Sequence, residues 1–302
     1  MIRPAPRAAL PRGAVLSLVL AAASWGTATA ISKRAVAEIP PLTLLPIQLA
    51  ASLVVLALLM RWRGEPFRDT MASPILGRLG VLNPGLAYAL GLLRLVHISA
   101  SLSVLLWASE PLMILLLAAW FLRERVAPQV VLLSLVAAAG MALVVYAPGG
   151  PAHLVGVALT LAGVACCAVY TVVARRWLGT AEGTAAVVAT QQLYALAFSL
   201  LVVVAVWLAG GAVRPETVSV AGWVSALVSG VLYYGVAFWL YLSGLRQVPA
   251  SYAAASFYLI PVFGLAAAFV LLGERLNPQQ WLGAGVVIVV VFAILRTAQT
   301  KD

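Results

Sequence analysis

Apolar stretches of about twenty residues recur along the chain, separated by short polar or Pro/Gly interruptions. A helix that crosses a bilayer needs ~20 mostly apolar residues. The pattern predicts ten, at 14–35, 41–60, 75–95, 98–121, 128–147, 152–174, 184–208, 219–243, 250–272 and 278–296. Pro40-Pro41, Pro148-Gly149-Gly150-Pro151 and Arg214-Pro215 break helices where turns are needed. No gap can hold a folded domain outside the membrane. The expected fold class is an all-α integral membrane protein with ten transmembrane helices. The third helix departs from the others: Pro74, Gly77, Arg78, Gly80, Asn83, Pro84 and Gly85 crowd its first half. Kinked backbone at that depth survives only where protein or water covers it, so this segment is expected beside a cavity.

One stretch occurs twice. Pro111, Glu124-Arg125 and Pro128-Gln129 recur 150 positions on as Pro261, Glu274-Arg275 and Pro278-Gln279. The register extends back through Ala100-Ser101 and Ala250-Ser251, Leu95 and Leu245, and Gly85 and Gly235. At a slightly different offset, Ala23–Arg34 lies over Ala165–Arg176, and both end in a basic pair. Gln48 and Gln192 sit at comparable points of helices two and seven. A duplicated unit of five helices is therefore expected, 1–149 (helices one to five) and 150–302 (helices six to ten), forming one membrane domain. Five is odd, so the second copy enters from the opposite side and the repeats are inverted.

Composition agrees with this reading. The chain is 64% hydrophobic and 9% charged, with mean hydropathy +1.06. A soluble domain is roughly 45–50% apolar and about 25% charged. The net charge of +10 comes from basic residues placed singly or in pairs between apolar runs, which reads as topology and not as nucleic-acid binding. With the N-terminus in the cytoplasm, fourteen of the 19 Lys and Arg residues fall inside, so both termini are expected there. Arg275 is outside because it copies Arg125 under the inversion. Arg3, Arg7 and Arg12 before an apolar run, with Ala28-Thr29-Ala30 beyond it, mimic a cleavable leader. The run is read instead as a retained first helix, because helix six needs a counterpart.

Inverted repeats place a site near the bilayer midplane, between the halves. The candidates for binding a small-molecule substrate are polar or aromatic residues far from helix ends. Glu110 is the one acid within an apolar run, and an intramembrane acid is a functional candidate by default. Its partner at the repeat offset is Ile260, so its role is one-sided. Asn83 and Tyr233 are equivalent at 150 positions. Tyr233, Tyr234, Phe238, Trp239, Tyr241, Tyr252, Phe257 and Tyr258 make the second half aromatic, which suits an apolar or aromatic solute. Tyr258 with Ser256, Trp107 with its counterpart Phe257, and Trp25 complete the deep set. Of Gln191 and Gln192, about 100° apart on a helix, one at most faces a cavity; Gln192 is the candidate, though its partner Gln48 points to a shared structural role. Trp62, Trp177, Trp223 and Trp281 fit an interfacial belt. Pro111, Pro261 and the pairs Glu124-Arg125 and Glu274-Arg275 are read as gating or structural elements.

Other chemistry is thinly represented. Cys166 and Cys167 are neighbours that point apart, and His97 and His153 are isolated, so neither a disulfide nor a metal site is expected. There is no P-loop or GxGxxG cradle and no nucleophile–base arrangement, so the chain is not expected to be an enzyme or to carry a cofactor. A lipid-modifying membrane enzyme would have to use Glu65 and Asp69, which, interleaved with Arg63 and Arg68, read as a solvated turn.

Ser24-Trp25-Gly26 with Lys33-Arg34, and the doubled unit from Pro111 to Glu124-Arg125 and from Pro261 to Glu274-Arg275, resemble the EamA type of the drug/metabolite transporter superfamily. The likeness covers almost the whole chain. It departs at Arg123, which stands where Gly273 does, and at Leu133, which stands where Gly283 does. The resemblance implies a multi-pass inner-membrane carrier or uniporter working by alternating access, most similar to bacterial amino-acid exporters, including those for aromatic amino acids. Other small organic solutes and cationic drugs are the alternative substrates it implies. The expected partners are the substrate and the lipid bilayer, with the chain a monomer or weak dimer.

Overall fold

The computed structural model describes residues 10–65, 74–93, 106–107, 109–145, 154–179, 183–213, 215, 217–272 and 277–297. Among the described residues everything regular is helical and there is no strand. The helices are α1 (Arg12–Val36), α2 (Pro41–Arg63), α3 (Pro74–Gly80), α4 (Ala87–Leu93), α5 (Glu110–Phe121), α6 (Pro128–Val145), α7 (Leu154–Leu178), α8 (Thr184–Leu208), α9 (Val220–Gly230), α10 (Ala237–Leu245), α11 (Ala250–Ala255), α12 (Leu259–Leu272) and α13 (Pro278–Thr297). Three pairs run on as one interrupted rod: α3–α4, α9–α10 and α11–α12. Among the described residues, seven helices or rods are long and apolar enough to cross a bilayer, while α5 and α6 are shorter apolar helices. Large apolar side chains cover the outside, among them Trp62, Trp223 and Trp281 at helix ends. A water-soluble monomer does not carry so much exposed apolar surface; lipid suits it.

The interruptions have local causes. Between α3 and α4 a wide π-helical turn spans Val81–Leu86, with Asn83 extended (φ −147°, ψ 117°) and a cis bond to Pro84. This is the bend that the Pro/Gly crowding predicts. Between α9 and α10 a second wide turn spans Val231–Val236, 150 positions on, although the apolar pattern predicts an unbroken helix there. Between α11 and α12 the chain tightens to a 3₁₀ turn at Ser256–Tyr258. Pro261 follows, and its ring and missing N–H disturb the turn four residues back. At the end of α5, Arg123 takes the left-handed conformation (φ 54°) and the Glu124 N–H turns back to the Ala118 carbonyl at 3.1 Å. Glycine, the residue at the corresponding position 273, adopts that conformation without strain.

Packing joins the first five predicted helices to the last five. α1 lies against α12 and against α9–α10, while α7 lies against α5 and α3–α4. α2 packs on α8, and α6 on α13. Glycines let the backbones touch, as small residues do in lipid. A Cβ built on Gly230 would lie 2.6 Å from the Gln48 Cα and carbonyl oxygen, and one on Gly80 would fall inside the Gln191 carbonyl group. Gly80 and Gly230 are 150 positions apart. At Gly26 a Cβ would meet the Gly264 nitrogen and the Ile260 oxygen at 2.5 Å.

Three carboxylates of the first half bind starts of helices in the second, where amide groups lack helical acceptors and the dipole favours an anion. Glu38 accepts from the Ser219 amide (2.6 Å) and hydroxyl (2.9 Å) before α9. Glu65 accepts from the Ala186 amide in α8 (3.1 Å) and pairs with Arg63 (3.1 Å). Glu65 is thus not part of a merely solvated turn: the open N-terminus of α8 supplies it with a donor. Glu124 accepts from the Ala250 amide (2.8 Å) and from the Ser251 amide (3.1 Å) and hydroxyl (2.7 Å) at α11.

Candidate functional site

A cavity of about 600 Å³ lies between the two halves. Its walls come from α1 (Trp25, Thr29), α2 (Gln48), the bent rod α3–α4 (Asn83, Tyr88), the start of α5 (Trp107, Glu110, Pro111), α7 (Tyr170, Thr171), α9–α10 (Tyr233, Tyr234, Phe238, Tyr241) and α11–α12 (Phe257, Tyr258, Pro261). Lys33 and Val36 are exposed and also line it, so the mouth lies at the α1–α2 connection. At the other end, Leu18, Ala21 and Ala22 beneath Trp25 are buried, as are Leu245 and Ala254. The Glu124 contact to α11 joins the two halves on that side.

Trp25 stands at the centre of an aromatic cluster, its ring 6.4 Å from Tyr233, 5.5 Å from Phe238, 5.4 Å from Tyr241 and 5.6 Å from Phe257. Such edge-on contacts hold rings rigidly. The tyrosine hydroxyls are tied as well. Tyr88 donates to the Tyr233 oxygen, Tyr241 to Thr171 Oγ1 at 3.3 Å, and Tyr170 to Gln191 Oε1 at 2.9 Å. Gln48 Nε2 donates to Ser32 and Ser229 at 3.1 and 2.8 Å.

The cavity brings together Trp25, Asn83, Trp107, Glu110, Tyr233, Tyr234 and Tyr258, with Pro111 and Pro261 beside them. Asn83 is 8% exposed and its Oδ1 has no donor among the described residues. Tyr258 faces Ser134. Glu110 opens α5, is half-buried, and makes no hydrogen bond or ion pair among the described residues. Two candidates lie off the cavity wall. Gln192 is fully buried and donates to the Tyr234 carbonyl at 3.1 Å, while Ser256 donates to the Ala253 carbonyl at 2.8 Å. The wide turn between α9 and α10 frees the Tyr234 carbonyl, and Gln192 takes it. Gln48 is the glutamine on the wall. Glu124 acts as the clasp described above, Arg125 follows it at the exposed surface, and Glu274, Arg275, His97 and His153 lie outside the described residues. Tyr88, Tyr170 and Thr171 are wall residues that sequence reasoning missed. The overlay of Ala28-Thr29 on Tyr170-Thr171 was the signal for two of them. Among the described residues no group of three His, Cys, Asp or Glu could hold a metal.

At the mouth end, outside the helices, the Ser219 amide holds the Glu38 carboxyl below its ordinary pKa of 4.5. The Ser219 hydroxyl acts in the same direction, burial opposes both to a lesser extent, and Arg34 adds the smallest lowering.

Comparison with known proteins gives the scaffold a place. An uncharacterized transporter from Archaeoglobus fulgidus is 24% identical over 295 residues, covering 92% of this chain and 97% of the relative. A probable terminal-alkyne amino-acid exporter from Streptantibioticus cattleyicolor is 30% identical over 201 residues, 67% of this chain and 66% of the relative. One crystal structure superposes with a TM-score of 0.79 at 18% identity, over 95% of this chain and 98% of the other, which is a likeness of fold. The profile of the EamA-like transporter family matches twice, over residues 12–146 and 154–296. With both halves matched, the chain belongs to the EamA-like transporter family, and it is a multi-pass membrane transporter.

Proposed function

We propose that the chain is an inner-membrane secondary carrier that exports small metabolites, amino acids first among them and aromatic ones included, by alternating access. Its two halves, 1–149 and 150–302, act as inverted repeats around the central cavity. The observation that carries this reading is the cavity itself, which among the described residues opens beside Lys33 and Val36 and lies between halves tied by Glu124. The Lys/Arg distribution supports a mouth facing outside and both termini in the cytoplasm. The rings around Trp25 suit an apolar or aromatic side chain, and the name of the Streptantibioticus relative, an amino-acid exporter, supports the substrate class.

Export then requires the Glu124 contact to open while the Lys33 end closes. Full-length protein in liposomes is expected to exchange labelled phenylalanine or tyrosine without ATP, faster when unlabelled amino acid is present on the far side. Protein that binds these solutes and moves none of them would end the carrier reading.

A further inference from the structure

We propose that Glu110 anchors a protonated amine, so that the cavity selects solutes with an ammonium group and an apolar body, whether or not they carry a carboxylate. The inference deepens the carrier reading, and where it concerns movement across the membrane it rests on that reading. Glu110 is the only carboxylate among the described residues lining the cavity. No described side chain gives it a hydrogen bond or an ion pair. An intramembrane carboxylate is costly where no described group pairs with it, and a bound ammonium offsets that cost with charge and three donors.

The surroundings fit such a cation. Glu110 shares the cavity wall with Tyr241, whose ring is 5.4 Å from Trp25 and 4.9 Å from Phe257. An ammonium at Glu110 therefore shares its chamber with aromatic rings, which attract cations and give an apolar tail a surface to lie on. Asn83, whose Oδ1 has no donor among the described residues, adds to the same preference.

Among the described lining residues nothing comparable waits for a carboxylate at that depth, and Lys33, exposed at the mouth, is the one with a fixed positive charge. It is eight residues along α1 from Trp25, a rise of about 12 Å. The ammonium and carboxylate of an amino acid sit on one carbon, and holding the first at Glu110 calls for no contact between the second and Lys33. The carboxylate is tolerated towards the mouth and is not required.

The test is direct binding to the full chain in detergent, with labelled phenethylamine competed by phenethylamine, phenylalanine amide, phenylalanine and 3-phenylpropionate. The two amines lacking a carboxylate are expected to bind at least as tightly as phenylalanine and at least tenfold more tightly than 3-phenylpropionate. Glu110→Gln should abolish that tenfold preference. The competition series on the unmodified chain gives an answer even where the variant fails to fold. Equal affinity for 3-phenylpropionate, a requirement for the carboxylate, an absence of binding by every probe, or a folded Glu110→Gln with unchanged amine affinity would each overturn the proposal. Amine-selective binding without movement across liposomes would leave it standing and defeat the carrier reading.

Discussion

Glu124 holds Ser251 twice, taking its hydroxyl at 2.7 Å and its amide at 3.1 Å. With the Ala250 amide added at 2.8 Å, one carboxylate satisfies the first turn of α11. The acid belongs to the end of α5 and the turn to the other half, so this contact both caps a helix and ties the two halves together. Capping groups contribute about 0.5–2 kcal/mol. Glu124→Ala is expected to lower stability by about 1–2 kcal/mol in detergent unfolding, and Glu124→Gln by less. In a chain without Cys166 and Cys167, a cysteine at the buried position Ala254 should react with maleimide faster once Glu124 is gone. Unchanged labelling would show that this contact does not hold that end shut.

Arg123 carries the opposite kind of contribution. Its left-handed backbone costs a side-chain-bearing residue about 1–2 kcal/mol, part of which glycine loses again through its freer unfolded chain. Arg123→Gly should therefore raise stability by about 0.5–1 kcal/mol, read as a higher unfolding midpoint. A lower midpoint would mean that the arginine side chain contributes more than the backbone strain costs.

The glycine contacts make a graded set. Gly230→Ala forces a methyl into the Gln48 backbone, and Gly80→Ala does the same at Gln191. Backbone cannot rotate away as a side chain can, so each should cost about 1–3 kcal/mol or block folding. Gly285 has nothing within 4 Å of its would-be Cβ, and Gly285→Ala should be neutral or slightly stabilising. Fluorescence-detected gel filtration after heating separates these outcomes; equal behaviour of Gly230→Ala and Gly285→Ala would contradict the packing described.

Acid should loosen the mouth end through Glu38. Its folded pKa lies below the ordinary 4.5, so its stabilisation is complete above that value and fades as pH falls through the lower, folded one. Between pH 7 and pH 3 the thermal midpoint of the unmodified chain should decline on the acid side of about 4.5. Glu38→Gln, which cannot ionise, should start lower at pH 7 and lose that part of the slope. Parallel curves for the two proteins would remove Glu38 from the acid response.

Much of this arrangement can be read from residue order alone, and the exceptions have a common character. The bend at Asn83 is written locally, in Pro84 and the glycines around it. The matching turn at Val231–Val236 has no proline; it accompanies the approach of Gly230 to Gln48, a contact through space between residues 182 positions apart. The glutamines tell the same story. Gln191 and Gln192 are both buried, one accepting from Tyr170 and the other donating to the Tyr234 carbonyl, and no spacing rule reveals that Gln48 is the one on the cavity wall. The deep aromatic set could be anticipated because it is dense in sequence. The clasps of Glu38, Glu65 and Glu124 could not, because their acceptors answer to helix starts that lie more than a hundred residues away.

The position of Glu110 opposite Ile260 in the repeat register has a wider meaning. If the halves are the repeats proposed above, duplication built a frame whose two sides were alike, and a guest could enter such a frame in either of two poses. Replacing one acid by an aliphatic residue, and one asparagine by a tyrosine, gives the chamber a polar pole and an oily pole. On the proposal made here, a molecule with one charged end would have a single way to lie, head toward the first copy and tail toward the second, and handedness of recognition would arise from divergence and not from the scaffold.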